Sequence, residues 1–324
     1  MPETKVSLND FKLKGVPQSL LDKLGILEHR ICLPDEESTD MEVKAAKNAL
    51  EKSGFNAADL DLIICSPVFT QTCGVPNSNL LQAKLGATKA AAFDIMQACS
   101  GIIPQLMVAT NFITLGQYQN ILIANSTDWG RIVHPQDLEN FVVLGNGASA
   151  AVLTATEPPW GFLAFDMQTD GRFYHKCGAR TESLDNKVLH QRYYECADGR
   201  LFFYIDNDIK NQSSSWARYL LLSIPKTLNA VLAKAGLKKE DVDMLVLHQN
   251  IDPLVNGWIK LCGIPREKTF CTHHKYGNLA SANLMTNLNE LIENGRLKDG
   301  DIVAFVAQGA GFSVGSAILR WGGK

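Results

Sequence analysis

Residues 47–66, KNALEKSGFNAADLDLIICS, and residues 229–248, NAVLAKAGLKKEDVDMLVLH, align without a gap at an offset of 182 residues. A leucine, a lysine, a glycine and two aspartates are identical in this frame. Each copy has the pattern of an amphipathic helix that ends at a glycine, followed by an acidic loop and an apolar strand. Strands that are apolar along their whole length and alternate with helices predict a sheet covered on both faces.

The correspondence continues downstream of each copy. FDIMQACSG (93–101) and a long apolar helix match FCTHHKYGN (270–278) and a helix that begins near Ser281. NILIANS and VLGNGASAAVL then match DIVAFVA and AQGAGFSVGSAIL. This order of elements predicts a duplicated α/β chain with an N-terminal half and a C-terminal half. The polar and aromatic stretch between them has no counterpart and is predicted to be an insertion that caps a pocket. The predicted boundaries are 1–160, 161–216 and 217–324.

Composition excludes several classes of protein. The chain has 324 residues, of which 46% are hydrophobic and 20% charged, and its formal net charge is −3. These values are typical of a globular protein and give no basic footprint for nucleic acid. The sequence shows no secretory signal and no apolar run of membrane-spanning length. Eight scattered cysteines without such a signal are expected to remain reduced, which favours the cytosol.

Three polar side chains stand at the predicted ends of strands: Cys99, His248 and Asn278. Ligands of open α/β sheets bind beyond the carboxyl ends of strands, so a true duplication would bring these residues together. Cys99 also precedes a helix, whose N-terminus favours the ionised thiol. Each residue alone has an ordinary structural interpretation, namely a buried cysteine, a core histidine and a helix N-cap. Only their combination indicates catalysis.

Two other motifs do not indicate a site. GNGASA (145–150) matches a dinucleotide-binding pattern formally, but a strand-like run follows it where a helix is required. Cys262, Cys271, His273 and His274 are capable of binding metal, yet their spacing matches no zinc pattern. We therefore expect neither a nucleotide cofactor nor a metal.

QACSG, LHQN and YGNLASA occur in that order, with GNGASAAVL between the first two and GAGFSVGSAIL near the C-terminus. Together they resemble the thiolase-fold condensing enzymes, and most closely β-ketoacyl-acyl-carrier-protein synthase III. The resemblance extends from about residue 21 to the C-terminus. It implies a thiolase-like α/β fold with αβαβα layers, and a homodimer. The Cys-His-Asn set differs from the elongating synthases, which carry a second histidine, and from thiolases, which carry a second cysteine.

The resemblance also implies the chemistry. Cys99 would accept an acyl group from a thioester, with the backbone N–H groups of Cys99 and Ala310 as oxyanion donors. His248 and Asn278 would stabilise the enolate of a malonyl-type thioester as it loses carbon dioxide. The enolate would then attack the acyl-Cys99 carbonyl. The substrates would be acyl thioesters of a carrier protein or of coenzyme A, and no further cofactor would be needed.

Some expected residues are missing. The tryptophan and arginine that grip the adenine of coenzyme A in the family have no counterpart in residues 16–26 and 137–148, so the cofactor-binding residues stay unknown. Asp252 and Pro253 stand where a carrier-contacting arginine is expected, and Val75 replaces a bulky aromatic at the acyl pocket. This pattern favours a specialised polyketide or fatty-acid-derived pathway. The alternatives are an acyltransferase that does not decarboxylate and a non-catalytic subunit of a heterodimeric synthase, although the retained triad weighs against the latter.

Overall fold

The strands of the two repeated segments, β3 and β10, each begin a matching run of three strands in one of two four-stranded sheets. The computed structural model describes residues 1–72, 74–134, 136–181, 201–206 and 214–323. The helices are α1 (Leu8–Leu13), α2 (Gln18–Leu24), α3 (Ser38–Ser53), α4 (Asn77–Leu85), α5 (Ile102–Thr114), α6 (Leu138–Val143), α7 (Ser215–Ala235), α8 (Asp252–Cys262), α9 (His273–Tyr276) and α10 (Asn283–Glu293). The strands are β1 (Lys5–Ser7), β2 (Glu28–Arg30), β3 (Leu62–Cys65), β4 (Ala91–Asp94), β5 (Ile121–Thr127), β6 (Gly147–Leu153), β7 (Gly161–Thr169), β8 (Cys177–Thr181), β9 (Leu201–Ile205), β10 (Met244–Leu247), β11 (Ile302–Gly309) and β12 (Ser313–Arg320).

The two large sheets share three corresponding strands, β3-β5-β6 in the first and β10-β11-β12 in the second. The first has the strand order β4-β3-β5-β6 and the second has the order β10-β11-β12-β7. β3 runs parallel to β5, and β10 runs parallel to β11. The next strand in each sheet, β6 or β12, is antiparallel. Leu62 pairs with Ile121, and Met244 pairs with Val303, so the offset found in the sequence also holds for the register. The predicted duplication is thus present in the backbone.

The helices form three layers around these sheets. Alternate residues of β3 face opposite ways: Leu62 and Ile64 pack with α5, whereas Ile63 and Cys65 pack with α3 and α4. The inner faces of both sheets share one apolar cluster with α5 and α10. The outer face of the second sheet packs against α7 and α8. The order of layers is α3/α4, first sheet, α5/α10, second sheet, α7/α8, which confirms the predicted αβαβα arrangement and explains the fully apolar strands.

The outer helices of the two halves end in the same way. Gly54 terminates α3 with a φ of 74°, and Gly236 terminates α7 with a φ of 68°. Only glycine adopts this left-handed conformation without strain, so the glycine that both copies share is the helix stop the sequence predicted.

The central region differs from its predicted boundary. Gly161–Thr169 is strand β7 and pairs with β12, so it is an edge strand of the second sheet and not part of a separate cap. β8 and β9 then form a two-stranded antiparallel sheet. Residues 182–200 and 207–213, which belong to the predicted insertion, lie outside the described residues. Within the described ranges, no helix is both long and apolar enough to cross a bilayer.

Candidate active site

Two turn–helix corners contact each other between the halves; a strand precedes the first, and the short helix α9 precedes the second. In the first, β4 leads through a 3₁₀ turn at Ala98–Ser100 into α5. In the second, a 3₁₀ turn at Ala280–Ala282 leads into α10. Ala98 has a φ of 46° and Ala280 a φ of 49°, and both belong to the left-handed region that non-glycine residues rarely adopt. In the structure, Ala98 therefore corresponds to Ala280. The sequence alignment of FDIMQACSG with FCTHHKYGN had paired Ala98 with a residue five positions earlier.

Cys99 is half-buried in the first corner. It packs against an apolar cluster that includes Val143, Leu144 and Ala280. Burial raises the pKa of the Cys99 thiol to about 12, and a hydrogen bond from its own backbone lowers it only slightly. Burial acts against the expected effect of the helix N-terminus on this thiol, because it desolvates the thiolate.

The small residues around Cys99 are required by close packing. A Cβ on Gly101 would lie 1.9 Å from the Ser66 Oγ. A Cβ on Gly309, the last residue of β11, would lie 2.7 Å from the Ser100 backbone nitrogen. Ala310 follows Gly309 directly, so its peptide begins at the corner that carries Cys99. The role of the Ala310 N–H as a second oxyanion donor stays a prediction.

His248 follows β10 and is buried. Its backbone N–H donates to the Val306 carbonyl at 2.8 Å, which continues the pairing of β10 with β11. Burial lowers the pKa of the imidazole to about 4. The ring is therefore neutral at physiological pH and carries one proton on one of its two nitrogens.

Asn278 is held by its backbone on both sides. Its N–H donates to the Val143 carbonyl at 2.7 Å, and its carbonyl accepts from the Trp129 Nε1 at 3.0 Å. The side-chain Oδ1 accepts from the Ala280 N–H at 2.8 Å and from the Asn283 Nδ2 at 3.1 Å. Because Oδ1 is used in this way, Nδ2 is the part of the amide left to act as a donor toward a substrate.

The structure brings His248 and Asn278 together through Asn283, which contacts both side chains. Cys99 packs against the cluster that contains Ala280, two residues after Asn278. Val75 is 49% exposed, in a bridge with Thr72, and it is not a member of the described cluster around Cys99.

Sequence reasoning missed two polar neighbours of these residues. One is Asn283, for which the repeat offers no signal, because a glycine, Gly101, stands at the matching position. The other is Cys177 of β8. Burial raises its pKa, and the nearby Cys99 thiol adds to this effect. Cys177 lies in the central region without a counterpart, so no pattern could have linked it to Cys99.

The motifs set aside in the sequence have other partners here. Gly147 is the first residue of β6, so GNGASA leads into a strand as predicted. His273 pairs with Asp252, their Nε2 and Oδ1 atoms lying 2.7 Å apart, and Cys271 accepts a hydrogen bond from Arg266. Among the residues with described coordinates, no group of three or more His, Cys, Asp or Glu side chains is arranged to hold a metal ion.

Models of two protein domains match the chain. The model of 3-oxoacyl-[acyl-carrier-protein] synthase III matches residues 93–171, and the model of its C-terminal part matches residues 232–321. These two ranges contain all three residues of the predicted triad.

Curated relatives and solved structures agree with these matches. The β-ketoacyl-[acyl-carrier-protein] synthase III of Listeria monocytogenes is 33% identical over 302 residues, which cover 93% of this chain and 88% of the relative. Synthase III 1 of Bacillus cereus is 31% identical, with 99% and 96% covered. The crystal structure of the Aquifex aeolicus synthase III superposes with a TM-score of 0.86 at 29% identity, over 99% of this chain and 97% of that one. The chain therefore belongs to the 3-oxoacyl-[acyl-carrier-protein] synthase III family of condensing ketosynthases.

Proposed function

We propose that Cys99 takes an acyl group from a thioester and that the chain joins this group to a malonyl-type thioester by decarboxylative Claisen condensation. The observation that carries the proposal is the pair of neutral donors, His248 and Asn278, held together beside a corner with a half-buried thiol. Two neutral N–H donors suit an enolate oxygen, because they stabilise its charge without giving up a proton.

The reaction has two stages. The Cys99 sulfur attacks the thioester carbonyl, whose oxygen is held by the N–H groups of Cys99 and Ala310. The tetrahedral adduct releases the carrier thiol, which takes up the proton that Cys99 loses. The malonyl-type thioester then loses carbon dioxide, and its enolate oxygen accepts hydrogen bonds from the Nε2 of His248 and the Nδ2 of Asn278. The enolate carbon attacks the acyl-Cys99 carbonyl, which forms a β-ketoacyl thioester and expels the Cys99 thiolate, and the thiolate takes up one proton from solvent.

Product analysis with paired acyl and malonyl thioesters tests this function. We expect release of one carbon dioxide per β-ketoacyl product, with acyl-Cys99 detected by intact-mass measurement before the malonyl donor is added. An ester, an amide or a new carbon–carbon bond formed without carbon dioxide would favour a non-decarboxylating acyltransferase. Absence of any acyl-Cys99 would favour a non-catalytic subunit.

The acyl donor is proposed to be an acyl carrier protein. Arg218, Leu222 and Lys226 are exposed and follow one another along one face of α7, at the rim of a cavity of about 240 Å³. Phe173 lines the same cavity and packs in a cluster with Cys177, the neighbour of Cys99. A basic and apolar rim of this kind suits an acidic carrier whose pantetheine arm must reach the thiol. Charge reversal of Arg218 and Lys226 should slow acylation by the carrier-bound substrate and leave acylation by a small thioester unchanged.

A carrier-bound or longer acyl group is favoured over acetyl-CoA. The tryptophan and arginine expected against adenine are missing, and an aromatic or cation–π stack is worth about 0.5–2 kcal/mol. Val75 in place of an aromatic leaves room for a longer chain, in keeping with a specialised pathway. Rates of Cys99 acylation by acetyl-CoA, a longer acyl-CoA and the matching acyl carrier protein decide this point. Fastest acylation by acetyl-CoA at equal concentration contradicts it.

The chain is proposed to act as a cytosolic homodimer. Val75 and Met96 are large apolar side chains, 49% and 62% exposed, near the edge strand β4. A partner subunit packed on this edge would cover them and bring Val75 to its acyl pocket. Sedimentation of a monomer at micromolar concentration would contradict the dimer.

A further inference from the structure

We infer that Asn283 is a positioning residue that sets the proton-bearing nitrogen of His248 and the amide orientation of Asn278 in one step. The inference rests on the proposed function, because it concerns the two donors that are assigned to the enolate. Asn283 is the first residue of α10 and is fully buried. It stands 35 residues from His248 in the chain and five from Asn278, so only the fold brings the three together.

The orientation of the Asn283 amide follows from its backbone contact. Its Oδ1 accepts from the Leu279 N–H at 3.0 Å, so the other end must be the NH₂ group. That group lies 3.1 Å from the Asn278 Oδ1 and 3.2 Å from the Gln249 carbonyl oxygen. It lies 3.3 Å from the His248 Nδ1. All three neighbours are suited to accept, and the two hydrogens of the NH₂ group are shared among them.

The consequence for His248 is a fixed tautomer. An NH₂ group can only donate, so the Nδ1 that faces it must offer a lone pair, and the single proton of the neutral ring resides on Nε2. The ring is neutral because burial lowers its pKa to about 4. Asn283 thus turns His248 into a donor at Nε2, the atom that the condensation requires.

The consequence for Asn278 is a fixed amide. Its Oδ1 accepts from the Asn283 NH₂ and from the Ala280 N–H, which would both clash with a flipped amide presenting its own hydrogens. Its Nδ2 is therefore directed to the opposite side. One buried amide holds both enolate donors in their active form, as a supporting residue does when it fixes a catalytic group.

If Asn283 had only a structural role, its Oδ1 contact with the Leu279 N–H would be sufficient for that role. Asn283→Asp separates the two roles, because it keeps an oxygen for Leu279 and replaces the NH₂ with a second acceptor. The carboxylate should draw the His248 proton to Nδ1 and leave a lone pair at Nε2. We expect Cys99 acylation near the wild-type rate, and decarboxylation of the malonyl thioester slowed about 10²–10³-fold, the usual loss for an oxyanion donor.

Asn287→Asp is the matched control. Asn287 is an equally buried asparagine one turn along α10, and it contacts Thr272 and Phe270. The comparison of the two variants removes the general effect of a buried carboxylate on the fold. Slowing of decarboxylation by the same factor in both variants would overturn the inference.

Nitrogen-15 spectra of histidine-labelled wild-type protein test the tautomer without any variant or turnover. The His248 signals are identified by their loss in His248→Ala, and we expect a protonated Nε2 beside an unprotonated Nδ1. In Asn283→Asp the pattern should reverse. A protonated Nδ1 in the wild type would overturn the inference even if condensation proceeds, whereas a wild type that fails to decarboxylate while showing the expected tautomer would refute only the proposed function.

Discussion

The corner that carries Cys99 and the corner that follows Asn278 have the same backbone and different tasks. Both place an alanine, Ala98 or Ala280, at a left-handed φ before a helix, and they are separated by the offset of the sequence repeat. Two strained alanines at matched positions indicate that the turn itself descends from the duplicated unit. What distinguishes the halves is the set of side chains placed on it.

Cys99 and Ser281 occupy the same place in the two corners. The Ser281 hydroxyl is buried and donates to the Ser66 carbonyl at 2.7 Å, so it is committed to holding the two halves together. Cys99 is half-buried, and its thiol lies in an apolar cluster. The same position makes a structural hydrogen bond in one half and carries the proposed nucleophile in the other.

The next matched pair shows the complementary change. Gly101 packs against Ser66 with no space for even a Cβ, whereas Asn283 packs against His248 and contacts its ring. The first half has a glycine at this position, next to the thiol. The second half has a hydrogen-bonding side chain at the corresponding position. Duplication supplied the positions, and the division between small and polar residues supplied the chemistry.

The largest expected effect comes from a comparison of alanine variants at the corresponding positions Cys99 and Ser281. Cys99→Ala should abolish acyl-enzyme formation and all condensation, because it removes the proposed acyl acceptor. Ser281→Ala should still be acylated and should lose about 1 kcal/mol of stability with its hydrogen bond. Intact-mass measurement after incubation with an acyl thioester, together with thermal unfolding, checks both. Covalent adduct on Cys99→Ala would contradict the assignment of the nucleophile.

The next largest effect tests whether the second half serves decarboxylation and not acylation. His248→Ala and Asn278→Ala should acylate Cys99 and then decarboxylate the malonyl thioester about 10²–10³-fold more slowly, since each removes one donor from the enolate. Stopped assays that follow acylation and carbon dioxide release separately make this test. Near-normal release in both variants would show that the second corner does not serve the enolate.

The repeat and the strand-end positions of Cys99 and His248 were readable from the sequence, because periodicity and apolar strands depend on local patterns. The predicted strand end at Asn278 is wrong, because Asn278 follows the short helix α9. The position of β7 in the second sheet could not be read from the sequence. In the described part of the first half, no strand pairs with the outer side of β6, so the repeat offers no counterpart of β7. Burial shifts the pKa of Cys99 in the direction opposite to that expected from the helix, and the sequence shows the helix that follows but not the desolvation around the thiol. Asn283 was missed because its role depends on contacts made only in the folded chain.

A smaller effect concerns the outer helices. Glu42 of α3 is fully buried and accepts from the Ser126 hydroxyl at 2.6 Å, whereas the matched position in α7 is Ile224. Burial raises the pKa of Glu42 from 4.5 to about 7. The folded state then holds this proton when the unfolded state has lost it, so the contribution of Glu42 to stability declines as pH rises from about 4.5 to 7.

Glu42→Gln mimics the protonated acid and should remove this dependence. We expect unfolding free energies that match the wild type near pH 4 and exceed it by about 3 kcal/mol above pH 8, from a shift of roughly two and a half pKa units. Denaturant titrations at both pH values measure the difference. The buried Ile224 of the other half cannot titrate, and Ile224→Val serves as the control whose effect should not vary with pH.

The smallest effect, about tenfold per pH unit, is the reactivity of the Cys99 thiol in the free protein. Since burial raises the pKa of Cys99 to about 12, the thiolate is a small fraction at every working pH and grows tenfold with each unit. Alkylation of Cys99 by iodoacetamide, followed by peptide mass, should therefore rise steadily between about pH 6 and 9 without a plateau. If the N-terminus of α5 dominated over burial, the rate would level off near neutral pH. That result would mean that the first corner activates its thiol before substrate binds, and that the two corners differ in electrostatics as well as in side chains.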